Sequence, residues 1–168
     1  MIPSPKPGPR KKAQKKQLKS RRDSLEAECD RIWSDIIYMK AGFKSQLSGT
    51  MAVLENGRIT GLNAHHIAKK PNYWLRYSLL NGFCCTPDEH STFHFEKTPS
   101  QYEEGMKRLV GEICWFNLME MKHDTAKAYL TAIKEDLLFQ RGLFIQTLSL
   151  GPLAPWLTVY LAQRKIST

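Results

Sequence analysis

The sequence lacks any apolar run of about eighteen residues, the length that a membrane-spanning helix needs, so we expect no membrane segment. It also has no apolar stretch near its N-terminus of the kind found in secretory signals, which favours a cytoplasmic location. The four cysteines include no C-x-x-C pair. In a reducing compartment this spacing predicts buried thiols rather than a set of disulfides.

Acidic residues are missing from the first 22 positions, although these positions hold nine of the 25 Lys and Arg residues. The other 16 basic residues are matched by the 16 acidic ones, so the net charge of +9 belongs to this segment. Because its start is rich in proline, we predict a flexible basic tail over 1–22 and one domain over 23–168. Such a tail either binds an acidic polymer or is a solvated arm, and composition favours neither.

Helical and strand patterns alternate in the domain and predict an α+β fold. Apolar residues at three- and four-residue steps between Leu25 and Met39 predict a helix over 20–40 that ends near Gly42. Apolar residues flank Asn56-Gly57, a dipeptide that favours a two-residue hairpin turn. We therefore predict paired strands over 51–55 and 58–64.

The second half of the domain is predicted to be mostly helical. A loop over 69–80 and a turn at Asn81-Gly82 should precede a short strand over 83–85 and a helix that starts after Pro87. Apolar stripes predict a further helix after residue 99 and another over 125–140. The apolar segment over 143–161 either completes the core or supplies a dimer interface.

Histidine is concentrated in one part of the chain, since four of the five lie within residues 64–95: His65, His66, His90 and His94. His90 and His94 should stand one turn apart on one helix face. His65 and His66 end a predicted strand, where neighbours point to opposite faces, so one of them can join the helical pair. Three neutral imidazoles with open water positions form a metal site suited to hydrolysis. The alternatives are ordinary surface histidines and a zinc site with the two adjacent cysteines, whose spacing does not fit.

The order His65-His66, Asn81-Gly82, His90 and His94 resembles the HNH motif of the ββα-metal nucleases, with the separations of the colicin-type DNases. The resemblance implies a ββα-metal core containing a hairpin, flanked by an N-terminal helix and several C-terminal helices. It also implies that His65, His90 and His94 bind one divalent ion. His66 would be the general base, and Asn81 would tie the loop and orient that base.

Residues 25–140 also resemble, less specifically, the NinG-like family of phage recombination nucleases. Members often carry C-x-x-C-G before the hairpin and C-x-x-C-H at the metal helix, which together form a structural zinc knuckle. The corresponding stretches here, 45–49 and 86–90, contain no cysteine. We therefore expect no structural zinc, and a core held by packing that involves Trp33, Phe43 and Trp74. The motif core would span about 50–98 and the helical part about 100–168.

Basic residues near the motif and in the tail are the candidate DNA contacts. Lys69, Lys70 and Arg76 lie in the predicted loop, where they would clamp phosphates without reading sequence. The alternatives are solvated lysines and, for Arg76, an ion pair with Asp88 or Glu89 that braces the fold. In the tail, the candidate contacts are Lys11, Lys12, Lys15 and Lys16.

The resemblance thus implies a metal-dependent HNH endonuclease that hydrolyses DNA phosphodiester bonds, of phage or mobile-element type, in the bacterial host cytoplasm. Its ion would be Mg, Mn, Ni or Zn. Two alternatives stay open: a non-catalytic DNA-binding or assembly protein with the same fold, and an RNase of the same superfamily. A monomer would nick one strand, whereas a double-strand cut would need a homodimer, with the C-terminal helices as the candidate interface.

Overall fold

The chain is a mixture of helices and short antiparallel strands, as predicted for the α+β class. The computed structural model describes residues 9–68, 73–95, 98–122 and 129–166, apart from the side chains of 9–16 and 93–95. The helices in these ranges are α1 (Pro9–Lys40), α2 (Tyr73–Tyr77), α3 (Pro87–Phe95), α4 (Pro99–Val110), α5 (Glu112–Met121), α6 (Leu130–Ser149) and α7 (Ala154–Arg164). The strands are β1 (Val53–Glu55), β2 (Arg58–Thr60), β3 (Asn63–His66) and β4 (Gly82–Cys85). They pair as β1–β2 and β3–β4.

Helix α1 ends at Lys40 as predicted, but it begins at Pro9 rather than near residue 20. Residues 9–22, where a flexible tail was expected, therefore continue the core helix, and the division of the chain into a basic tail and one domain stays a prediction. Proline is tolerated in the first turn of a helix, and the Lys, Arg, Gln and Ala residues that follow Pro9 are good helix formers. The charge run thus lengthens α1, and its last residues, such as Lys19 and Arg21, are exposed.

The predicted hairpin at Asn56-Gly57 is confirmed, although its second strand is shorter than expected. Glu55 pairs with Arg58, and the two turn residues have positive φ angles of 51° and 70°, as a two-residue turn of this type requires. Strand β2 then ends at Thr60, because Gly61 adopts a left-handed φ of 81° that breaks the extended chain. The following strand, β3, pairs with β4 instead.

Between β3 and β4 the chain forms α2 and a 3₁₀ turn (Leu79–Asn81), where a loop was predicted; residues 69–72 lie outside the described ranges. The predicted turn at Asn81-Gly82 is wrong, because Gly82 is the first residue of β4. Glycine is needed there for packing. A Cβ at this position would lie 2.5 Å from Cζ2 of Trp33 and would also clash with Ile37.

The C-terminal helices complete the core around α1. Helix α6 begins at Leu130, later than predicted, and continues to Ser149 beyond the predicted end; residues 123–128 are outside the described part. Of the described elements, α6 has the most extensive packing against α1. Helix α7 is tied to α1 at buried Asp35, whose Oδ1 accepts from Tyr160 Oη at 2.7 Å and lies 3.1 Å from Arg164 Nε.

Two hydrophobic clusters lie on opposite faces of the β3–β4 pair. Cys84 belongs to the cluster built on α1, α6 and α7, whereas Phe83 and Cys85 belong to the one built with α4 and α5. Trp33 and Phe43 are buried as predicted, but Trp74 is 48% exposed and does not fill the core. Within the described ranges, no helix is long and apolar enough to span a bilayer. Exposed apolar side chains remain on α5 and α6: Ile113, Phe116, Phe139 and Leu143. A homodimer through the C-terminal helices stays a prediction.

Candidate active site

The predicted site residues His65, His66 and His90 lie where β3 and β4 pair and α3 follows. The register places His65 opposite Phe83 and His66 opposite Gly82. Helix α3 begins after Thr86, whose hydroxyl accepts from Glu89 N at 3.2 Å while Glu89 Oε2 accepts from Thr86 N at 2.7 Å. This reciprocal cap fixes the first turn of the helix that carries His90.

His65 is buried and in contact with aromatic rings. Its ring lies edge-on to His90, with centroids 4.7 Å apart and an interplanar angle of 77°, and it also contacts Phe83. Its Nε2 is 3.4 Å from Tyr102 Oη, and that hydroxyl donates to Ile67 O at 2.6 Å. Because the hydroxyl proton is used in that way, the Tyr102 oxygen accepts from Nε2, which leaves the lone pair of neutral His65 on Nδ1. Burial raises the pKa of Tyr102 to about 12, which keeps this hydroxyl protonated.

The structure thus brings together two of the three predicted metal ligands. His94 follows His90 by one turn of α3, and its side chain lies outside the described residues. Among the described side chains, no group of three His, Cys, Asp or Glu residues stands close enough to hold an ion. His65 and His90 alone fit an ion that accepts imidazole, such as Zn or Ni, better than Mg, which prefers oxygen. The three-histidine site stays a prediction.

His66 faces the other side of β3, towards α1 and α2. Its ring stacks on Trp33 with centroids 3.9 Å apart and an interplanar angle of 8°. Its Nε2 is 2.8 Å from the carbonyl oxygen of Arg76. Since a carbonyl only accepts, Nε2 carries the proton and the lone pair of the neutral ring is on Nδ1. The sequence motif gave no such role to Trp33 or to the Arg76 carbonyl.

Asn81 is fully buried and ties the loop between β3 and β4 together. Its Oδ1 accepts from Ala68 N at 2.7 Å, and its Nδ2 donates to Leu75 O at 2.9 Å and to Ala68 O at 3.3 Å. These contacts fit the loop-tying part of its expected role. Its influence on His66 is indirect, through the loop that carries the Arg76 carbonyl.

Arg76 braces α2 against α1 through its guanidinium group. Its Nε is 2.8 Å from Asp30 Oδ1, a second nitrogen contacts Asp30 Oδ2, and NH1 lies 3.9 Å from Glu26. These hydrogen bonds to Asp30 raise the pKa of the Arg76 guanidinium group. The bracing alternative is therefore supported, but its partners are α1 acids rather than Asp88 or Glu89, because α2 lies along α1. A phosphate would have to compete with two carboxylates for this side chain.

The other candidate DNA contacts are the two lysines that precede α2 and the basic residues of α1. Lys69 and Lys70 lie outside the described ranges. The tail lysines lie on α1, with side chains outside the described part: Lys11, Lys12, Lys15 and Lys16. Arg22, nearer the core, has its Nε 2.9 Å from Glu26 and its guanidinium group on the Tyr73 hydroxyl.

Hydrogen bonds join the two stretches in which a zinc knuckle would be found in the resembling family. Buried Ser45 donates from Oγ to Glu89 Oε2 at 2.7 Å and accepts from Leu47 N at 3.1 Å and Ser48 N at 3.2 Å. Gln46 pairs with Cys84 through Oε1 and its backbone N–H. Although burial opposes ionisation, the bonds from Ser45 and Thr86 hold the pKa of Glu89 below its usual value.

The neighbouring thiols are not ionised. Burial raises the pKa values of Cys84 and Cys85 to about 12 each, so neither is a thiolate at neutral pH.

Comparisons of the chain with models of known protein families, with curated proteins and with solved structures found no match.

Proposed function

We propose that this chain is a metal-dependent endonuclease of HNH type that hydrolyses DNA phosphodiester bonds. The observation that carries the proposal is that two neighbouring histidines face opposite sides of one strand. The His65 ring stands against His90, while the His66 ring faces the opposite side of the strand with its lone pair on Nδ1. On this proposal, the ion ligand His65 and the general base His66 would lie one residue apart.

His65 and His90 would hold the divalent ion, with His94 as the third ligand that the spacing predicts. Such an ion polarises a phosphate oxygen and stabilises the negative charge that develops during hydrolysis. The hydroxyl of Tyr102, which accepts from His65 Nε2, keeps Nδ1 of that ring as the nitrogen for the ion. The chain's own contribution would thus be to fix which nitrogen of His65 is left to bind the ion.

His66 would act as the general base. With its proton on Nε2, the neutral ring takes a second proton at Nδ1 from the attacking water. The Arg76 carbonyl then stabilises the charged ring, because its bond to the Nε2 proton strengthens as the imidazolium forms. Stacking on Trp33 limits rotation of the ring out of this geometry.

The basic half of α1 would contact the DNA backbone. Helix α1 is continuous from Pro9 to Lys40, so its exposed basic residues lie on the same rod as the residue that stacks on His66. At about 1.5 Å per residue, Lys19 is roughly 20 Å along the axis from Trp33. Phosphate contacts at that distance would add affinity without sequence readout.

The decisive test is a nicking assay with supercoiled plasmid and Mg, Mn or Ni. We expect the wild type to convert the plasmid to nicked circles, and His66→Ala to slow this by about 100-fold or more, in line with loss of a general base. His123→Ala, which removes the one histidine outside the motif, is the matched control and should cut normally. Equal cutting by His66→Ala and wild type would refute the proposed base.

Binding without cutting would instead identify a DNA-binding protein. The same reaction is run with single-stranded and double-stranded RNA at identical salt, and a gel-shift assay is run alongside. Preferential cleavage of RNA would contradict the DNA assignment. A metal-loaded protein that shifts plasmid DNA and cleaves neither polymer would contradict the catalytic assignment.

A further inference from the structure

Among the described contacts of the His66 ring, two restrict its orientation, and both trace to helix α1. Stacking on Trp33 at 3.9 Å sets the plane of the ring. The 2.8 Å bond from Nε2 to the Arg76 carbonyl sets its rotation within that plane. Arg76 is itself held by Asp30, which precedes Trp33 by three residues on α1 and therefore lies on a neighbouring part of the same helix face.

The Trp33 indole is itself firmly held. It is 1% exposed, and its Nε1 donates to Ser78 O at 3.2 Å, between α2 and the 3₁₀ turn. The space that it occupies exists because Gly82 stands opposite His66 in the strand register and has no side chain. A Cβ there would lie 2.5 Å from Cζ2 of the indole. The glycine at position 82 and the packing around Trp33 therefore keep the flat face of the indole beside the His66 ring.

From these contacts we infer that Trp33 is a positioning residue for His66, a role that lies outside the β3–β4–α3 unit and that no part of the motif assigns. The indole face restricts the imidazole to one plane, so that Nδ1 keeps a single direction. The inference rests on the proposed function for its catalytic consequence. The positioning itself is a property of the folded chain and is measurable without DNA.

The first measurement is spectroscopic and uses the full-length protein. A ring stacked on an indole at this distance experiences a ring current, so the Cε1 and Cδ2 protons of His66 should be shifted upfield. We expect Trp33→Leu to abolish this shift and to broaden or split the His66 signals, whereas Trp33→Phe should keep most of it. Nitrogen chemical shifts should report a proton on Nε2 in wild type and a mixture of tautomers in Trp33→Leu.

The second measurement is kinetic. We expect Trp33→Leu to lower kcat by about 10- to 100-fold with little change in KM, the size of effect that misplacing a catalytic group produces. Trp33→Phe, which restores a stacking ring, should recover activity to within about 3-fold of wild type. Trp115→Leu removes a buried indole from the second hydrophobic cluster and is the matched control for general destabilisation. Its kcat should fall much less.

The two measurements separate the failure of this inference from the failure of the proposed function. If wild type cuts no DNA, the proposed function fails, and the His66 signals alone decide whether Trp33 holds the ring. If wild type cuts DNA and Trp33→Leu keeps both its kcat and its His66 shifts, the inference is overturned. If Trp33→Leu does not fold, the His66 shifts of Trp33→Phe decide, because the smaller ring current of a phenyl should reduce the upfield shift, and a shift equal to that of wild type would overturn the inference. Unshifted signals in wild type would overturn the inference directly.

Discussion

His65 and His66 are consecutive residues of one short strand, but different parts of the chain surround them. His65 is buried among side chains that follow it in the sequence: Phe83 of β4, His90 of α3 and Tyr102 of α4. These are aromatic or imidazole rings, with one hydroxyl. This buried environment, with a hydroxyl that accepts from the ring, suits a histidine that holds an ion.

His66 is partly exposed, and its described contacts differ in kind. It lies between Trp33, which precedes it on α1, and the main-chain carbonyl of Arg76, which α1 positions through Asp30. The downstream helices therefore contact the proposed ion side of the strand, where His65 lies, and the upstream helix contacts the proposed base side, where His66 lies. If this division is real, a change on one side should leave the function of the other side intact.

The largest expected effect is from removing an ion ligand. His90→Ala should weaken binding of Ni or Zn by about 100-fold or more, because the loss of a ligand exceeds the 10- to 100-fold typical of its outer partners. His66→Ala should leave ion affinity within about 3-fold of wild type, since its ring faces away from the proposed ion site. Isothermal titration of both variants gives the comparison. Equal losses in the two would show that the histidines share one site.

A smaller effect on the same side is expected from Tyr102→Phe. This change removes the oxygen that accepts from His65 Nε2 and donates to Ile67 O, so the ring can adopt the other tautomer. We expect ion affinity to fall by about 10-fold, as for other outer partners of metal ligands. Tyr129→Phe, at a highly exposed tyrosine, is the control and should bind normally. Unchanged affinity in Tyr102→Phe would mean that the tautomer of His65 is set elsewhere.

Asp30→Asn tests the base side. It removes the charge that holds the Arg76 guanidinium, and because this ion pair is partly exposed we expect a loss of only about 1 kcal/mol in the free energy of unfolding. Ion affinity should not change, whereas kcat should fall because the Arg76 carbonyl is less firmly placed. Urea unfolding, titration with Ni and the nicking assay report the three quantities. A loss of ion affinity would contradict the separation of the two sides.

The sequence predicts local features of this fold well and long-range contacts poorly. Asn56-Gly57 specified its hairpin, and the Thr86–Glu89 cap with Pro87 specified the start of α3, because each depends on residues a few positions apart. The Arg76–Asp30 pair joins residues 46 positions apart, and no periodicity encodes it. Gly82 looked like a turn residue, although packing against Trp33 explains it. The two supports of His66, Trp33 and the Arg76–Asp30 pair, could therefore not be predicted from the sequence.

The smallest expected effect is at Glu89, whose carboxylate joins the stretch over 45–49 to the stretch over 86–90. Glu89→Gln keeps the shape of the side chain but removes the charge that accepts from Ser45 Oγ and Thr86 N. We expect a loss of about 1 kcal/mol in the free energy of unfolding at pH 7, the usual net size of such bonds. Glu120→Gln, on an exposed part of α5, is the control and should cost almost nothing.

The pH dependence of this loss distinguishes charge from shape. Because the pKa of Glu89 is lower in the folded chain than in the unfolded one, its stabilisation is complete above the unfolded value of about 4.3 and disappears as the pH falls through the folded value. The difference between wild type and Glu89→Gln should therefore be constant from pH 7 to about pH 5 and shrink below about pH 4. Urea unfolding across this range measures it. A difference that persists at low pH would mean that the amide disturbs the cap of α3 by its shape, and the charge of Glu89 would then not be what ties Ser45 to the helix that carries His90.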